Sequence, residues 1–170
     1  MPRRETSAEA LGLGDVLPNS DFADTYAAMV HGQALDATTA ASRAFGRAPG
    51  WITALLASRN LVVWPLRLKT GPSSTASQAA VGFFPVLSRS AGRMVLGLDD
   101  RHLDFRLVID VLELGGGLQE IRASTVVKTH NVLGTAYLAA VKPFHRKIVP
   151  AMLAQVACAG VQDPPAAVTV

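Results

Sequence analysis

The chain has 170 residues, of which 49% are hydrophobic and 17% charged, with a formal net charge of +3. That length suits one domain able to bury a core without a metal or disulfide staple, and the composition excludes an intrinsically disordered chain. The positive excess is scattered, without the basic stripe and interleaved aromatics of a nucleic-acid module, and a single cysteine excludes a disulfide framework or thiolate metal cluster.

Residues 1–20 are rich in Gly, Pro, Ser and charge and read as a flexible leader. The segment from Leu11 to Leu17 is broken by Gly12, Gly14 and Asp15, which does not make the apolar core of a signal peptide. No run approaches the roughly 18 apolar residues of a membrane span, and a cytoplasmic location is expected. Residues 160–170, with Pro164-Pro165, read as a frayed tail, leaving 21–159 as the domain.

Phe22 to Val30 is the first expected strand, although its alternation is poor. Asp36 is placed to cap a short helix ending before Gly46, and Pro49-Gly50 opens a second, in which Trp51, Leu55 and Leu56 fall at helical spacing. That helix should stop by Trp64, because Pro65 disfavours helical geometry at the residue before it. Residues 71–80 form a low-complexity loop.

From there the period changes to two. Phe84, Val86 and Ser88 begin a strand, Ala91-Gly92 turns, and Met94, Leu96 and Leu98 alternate with Arg93, Val95 and Gly97. After Asp99-Asp100, one face carries Leu103, Phe105, Leu107, Ile109 and Val111, the other Asp104, Arg106 and Asp110. Gly115-Gly116-Gly117 turns into Ile121, Ala123, Thr125, Val127 and Thr129, opposed by Arg122, Ser124 and Lys128. This pattern predicts an antiparallel meander, apolar on one side and polar on the other. Asn131 is placed to cap a long final helix in which Leu133, Tyr137, Val141, Phe144, Ile148 and Met152 form an apolar stripe, with Lys142 and Arg146 opposite. Pro143 and Pro150 each remove a backbone hydrogen bond, so bends are expected there. Cys158, among Val156, Ala157 and Ala159, reads as a small hydrophobe at the helix end.

The element order predicts an α+β helix-grip fold (START/Bet v 1-like): a curved antiparallel sheet of about five or more strands around a long kinked C-terminal helix, with two short helices after the first strand. The stretches Gly97 to Arg106, Thr129-His130-Asn131, and Leu138 through Pro143-Phe144-His145-Arg146 also resemble a bacterial domain of unknown function. That family occurs alone or fused behind short-chain-dehydrogenase-like NAD(P)-binding domains. The resemblance implies a fold similar to the polyketide-cyclase and START-like superfamily, whose members often enclose apolar ligands. It supplies no catalytic residues and no cofactor.

The polar groups that interrupt the inward face are the natural candidates for a site. Thr125, Thr129 and Tyr137 would orient a ligand among Phe105, Leu107, Val127, Val141, Phe144 and Trp51. Against this, each hydroxyl can bond local backbone or reach the rim. His130 and His145 are the candidate proton carriers, although a cap position and a half-exposed helix position are the plainer readings. Asp99, Asp100, His102 and Asp104 have the donor types of a cation site, but Asp-Asp beside charged residues is ordinary turn chemistry, and no metal is expected. Gly115-Gly116-Gly117 has a strand behind it, not a helix N-terminus, and is a turn, not a phosphate loop. Three functions follow: a module binding a small apolar or amphipathic molecule, a cyclase, dehydratase or hydrolase of the same fold, or an assembly domain. A homodimer and a dehydrogenase-like partner are both open, and exposure of Trp51 and Trp64 would favour assembly.

Overall fold

The computed structural model describes residues 3–5, 8–46, 79–82 and 84–158. The elements are β1 (Arg3–Glu5), β2 (Phe22–His31), α1 (Ala37–Phe45), β3 (Ala80–Val81), β4 (Phe84–Arg89), β5 (Arg93–Asp99), β6 (Leu103–Gly115), β7 (Leu118–Thr129) and α2 (Val132–Cys158). The second short helix, Trp51, Trp64 and most of the 71–80 loop fall outside the described residues, as does the tail from 160 onward.

The strands form one curved antiparallel sheet in the order β1-β2-β7-β6-β5-β4-β3. Its centre is the β6–β7 hairpin, whose turn holds Gly115, Gly116 and Gly117 at φ of 87°, 61° and 75°. Side chains with a Cβ rarely adopt such angles, which is why three glycines stand in a row here. The register pairs Leu107 with Thr125 and Ile109 with Ala123, and on the other flanks Met94 with Ile109 and Tyr26 with Ala123. The alternating residues therefore share one inner face, as their period requires.

Both described helices cover that inner face, α1 on β5 and β6, α2 on β2, β7 and α1. Asp36 caps α1 by accepting from the Thr39 amide at 2.8 Å, and Asn131 caps α2 by accepting from the Gly134 amide at 3.0 Å. Gly46 ends α1 in right-handed geometry, φ −67°, so its freedom to be left-handed is unused. The helix α2 runs unbroken through Pro143 and Pro150. No helix among the described residues is long and apolar enough to cross a membrane.

Three features depart from the sequence reading. The outer sheet face is not simply polar. Residues 8–17, assigned above to the leader, turn tightly and lay Ala8, Leu13 and Leu17 on Ala23, Val108 and Val126, and β1 pairs with β2. The inward stripe of α2 is rotated: Val149, Met152, Leu153 and Val156 are buried, while Phe144 is 49% exposed. Its residues are apolar nearly all round, so pattern alone does not set which side faces the sheet. Cys158 is exposed and is not a packed hydrophobe.

Candidate functional site

The inward phase of β2 runs Phe22, Asp24, Tyr26, Ala28, Val30, so Asp24 stands where apolar residues are wanted. It is 0% exposed. Its Oδ1 lies 3.0 Å from Nε2 of His145, which projects from the middle of α2 with its side chain 15% exposed. The imidazole is wedged edge-on against Phe22 (centroids 6.1 Å apart) and Tyr26 (6.3 Å). Such aromatic edges fix the ring plane, and the carboxylate fixes which nitrogen carries the hydrogen. The Lys142 ammonium sits over the Phe22 ring, 4.6 Å from its centroid, so this residue is no free solvent charge.

Thr125 stands directly across from Asp24 in the β2–β7 register. Among the described residues, neither the Thr125 hydroxyl nor the second oxygen of Asp24 has a hydrogen-bond partner, and both are buried. Leaving a buried donor or acceptor unmatched costs about 1–3 kcal/mol, and more for a charged group. The local fold therefore holds two unmet polar demands next to a histidine.

The predicted site residues separate around this point. Leu107 and Val127 are buried in the inner face, Phe105 packs half-buried against the core there, and Tyr137 and Val141 are half-buried on α2. Phe105 stacks tilted on Phe84 with centroids 5.5 Å apart. Phe144, by the rotation of α2, is half exposed and not part of the buried inner face among the described residues. Thr129 is already engaged: its amide and hydroxyl donate to Asp21 Oδ2 at 2.6 and 2.8 Å. These bonds, the backbone one foremost, hold the Asp21 carboxyl below its ordinary value of 3.8. His130 pairs with Asp104 Oδ2 at 3.0 Å, on the outward phase of β6, away from Asp24. Of the two candidate proton carriers, only His145 reaches the interior.

The acidic turn is spoken for. Asp99 pairs with Arg106, Asp100 donates its amide to the Leu103 carbonyl, and His102 bonds Asn131. These contacts spread the carboxylates and imidazoles among separate partners, and no cluster of three or more metal-ligating side chains forms among the described residues.

Sequence reasoning missed Asp24. The signal was present as one carboxylate in the inward phase of an otherwise apolar strand, obscured by the alanines that blur the alternation of β2. Gln119 was missed too; buried at the edge of β7, it accepts from the Leu35 amide at 2.9 Å and donates to the Leu35 carbonyl at 3.1 Å. This is a structural latch that closes the β2–α1 loop.

The fold and site define an α+β domain whose long terminal helix delivers a histidine to a buried carboxylate on the sheet. The family described as "Protein of unknown function (DUF2867)" matches residues 16–152, most of the chain, and the protein belongs to that family. Curated proteins gave no match. A solved START superfamily protein from Mycobacterium smegmatis is similar with a TM-score of 0.38 and 10% sequence identity, over 79% of this chain and 98% of that one.

Proposed function

We propose that the domain binds a small apolar or amphipathic molecule between the inner sheet face and the first half of α2, its polar end meeting Asp24 and Thr125. One observation carries this reading: two buried polar atoms on facing register partners, Asp24 Oδ2 and Thr125 Oγ1, lack hydrogen-bond partners among the described residues. Folded chains match such atoms nearly everywhere, and exceptions concentrate where a ligand or a reaction uses them. The half-buried Phe105, Tyr137 and Val141 are the residues assigned to the site's apolar lining. A mostly apolar wall with a few orienting polar groups is the usual chemistry of a small-molecule site.

Native mass spectrometry of detergent-free protein, with thermal shift against fatty acids, sterols and planar phenols, tests the reading. A defined adduct, or a saturable rise in Tm that Thr125→Val abolishes, is expected. Absence of both across the panel refutes it.

A further inference from the structure

We propose that His145 is a general base, held in its reactive form by Asp24, and that the molecule bound beside it is a substrate with an acidic C–H next to a carbonyl. The inference rests on the binding reading and goes beyond it by assigning chemistry to the pair.

The argument starts from the hydrogen bond. A carboxylate can only accept, so Asp24 Oδ1 at 3.0 Å requires a hydrogen on His145 Nε2. In the neutral ring that hydrogen leaves the lone pair on Nδ1, which makes no hydrogen bond to any described residue. A buried acid that orients one ring nitrogen so the other can take a proton is the base–orienter relation of acid–base catalysis. The geometry also meets its cost: the imidazolium formed on proton uptake lies against a carboxylate that is fully buried and so poorly screened by water. A purely structural role would leave Asp24 with both oxygens satisfied, whereas Oδ2 has no partner among the described residues. Thr125, across the strand pair, provides a hydroxyl to donate to an oxyanion.

The step balances without any co-reactant. The substrate C–H bond breaks, its proton bonds to His145 Nδ1, and the electron pair moves onto the neighbouring carbonyl oxygen as an enolate facing the Thr125 hydroxyl. Return of the same proton to a conjugated carbon gives an isomer and restores the neutral ring. Asp24 is a positioning residue for the proton transfer, acting through His145; the reacting atoms themselves meet only His145 and Thr125.

The probe is 5-nitrobenzisoxazole, an apolar bicycle that a base opens by taking its C–H proton. The electron pair completes a nitrile as the N–O bond breaks, releasing a coloured phenolate. Wild-type protein should open it with saturation kinetics, at least about a hundredfold faster than free imidazole at equal concentration, the range a placed base provides. His145→Gln should remove that excess. Asp24→Asn should lower kcat at least tenfold with KM within about twofold, which a general loosening of the site would not do. Saturable binding with turnover no faster than imidazole overturns the base and leaves the binding reading standing; no saturable binding, together with an empty ligand panel, overturns both. Nitrogen-15 NMR of wild-type protein, with His145 assigned through its contact with the Tyr26 ring, needs no variant to fold. The Nε2–H tautomer is expected, and the Nδ1–H tautomer overturns the proposal.

Discussion

Gly134 lies in the first turn of α2, where alanine would ordinarily be worth about 1 kcal/mol more than glycine. Gly134→Ala should nonetheless destabilise the protein. A Cβ at this position would stand 2.0 Å from the His102 carbonyl oxygen, and real contacts of this kind essentially never fall under 3.0 Å. The helix start and the β5–β6 corner must therefore part by about 1 Å. The carbonyl cannot retreat freely, because it accepts from the His130 amide at 2.9 Å, nor can the helix, because Asn131 caps it through the Gly134 amide. Overpacking of this kind costs roughly 1–3 kcal/mol, and a weakened backbone bond adds about 1. Set against the gain in propensity, the net loss should be about 1–3 kcal/mol. Urea unfolding followed by circular dichroism gives the number, with exposed Ala136→Gly as the control, expected to lose about 1 kcal/mol. Helix propensity alone predicts opposite signs for the two substitutions; close packing predicts losses for both. A Gly134→Ala protein as stable as the parent, or more so, refutes the packing argument.

Asp21→Asn should lower stability at neutral pH, because the Thr129 amide and hydroxyl favour the charged carboxylate. The folded value is depressed, so the contribution is complete above the unfolded value of 3.8 and fades as pH falls through the lower folded one. Unfolding free energies of parent and variant should therefore converge in acid, and a pH-independent gap would contradict this. Gln119→Leu leaves the Leu35 amide and carbonyl buried without partners, which should cost about 2–4 kcal/mol in denaturant unfolding; a near-neutral result would mean that the loop finds water. Leu13→Ala should cost about 2 kcal/mol, the low end for a buried leucine because the segment can relax, whereas a loosely attached leader would give no change.

The sheet was legible because a strand carries its own ruler. With period two, Leu103 to Val111 and Ile121 to Thr129 declare their faces, and the glycine triplet fixes the register between them. Capping residues announced both described helices for a similarly local reason. The rotation of α2 was hidden because Ala, Val and Leu encircle it, leaving tertiary contacts to decide that His145 and not Phe144 looks inward. Residues 8–17 were hidden by their glycines and charges, although Leu11, Leu13, Val16 and Leu17 were there to pack. The candidate site was half legible. Thr125 could be placed by alternation, but its neighbour Asp24 comes from a distant strand, and no spacing rule pairs it with His145.

Asp24 and His145 are 121 positions apart, one on the first long strand and the other on the helix that follows the sheet. Until synthesis reaches that helix, the nascent sheet carries a naked acid with no imidazole to answer it. The proposed couple is thus assembled only when that helix docks on the sheet, and a chain shortened before it would lack half of the pair.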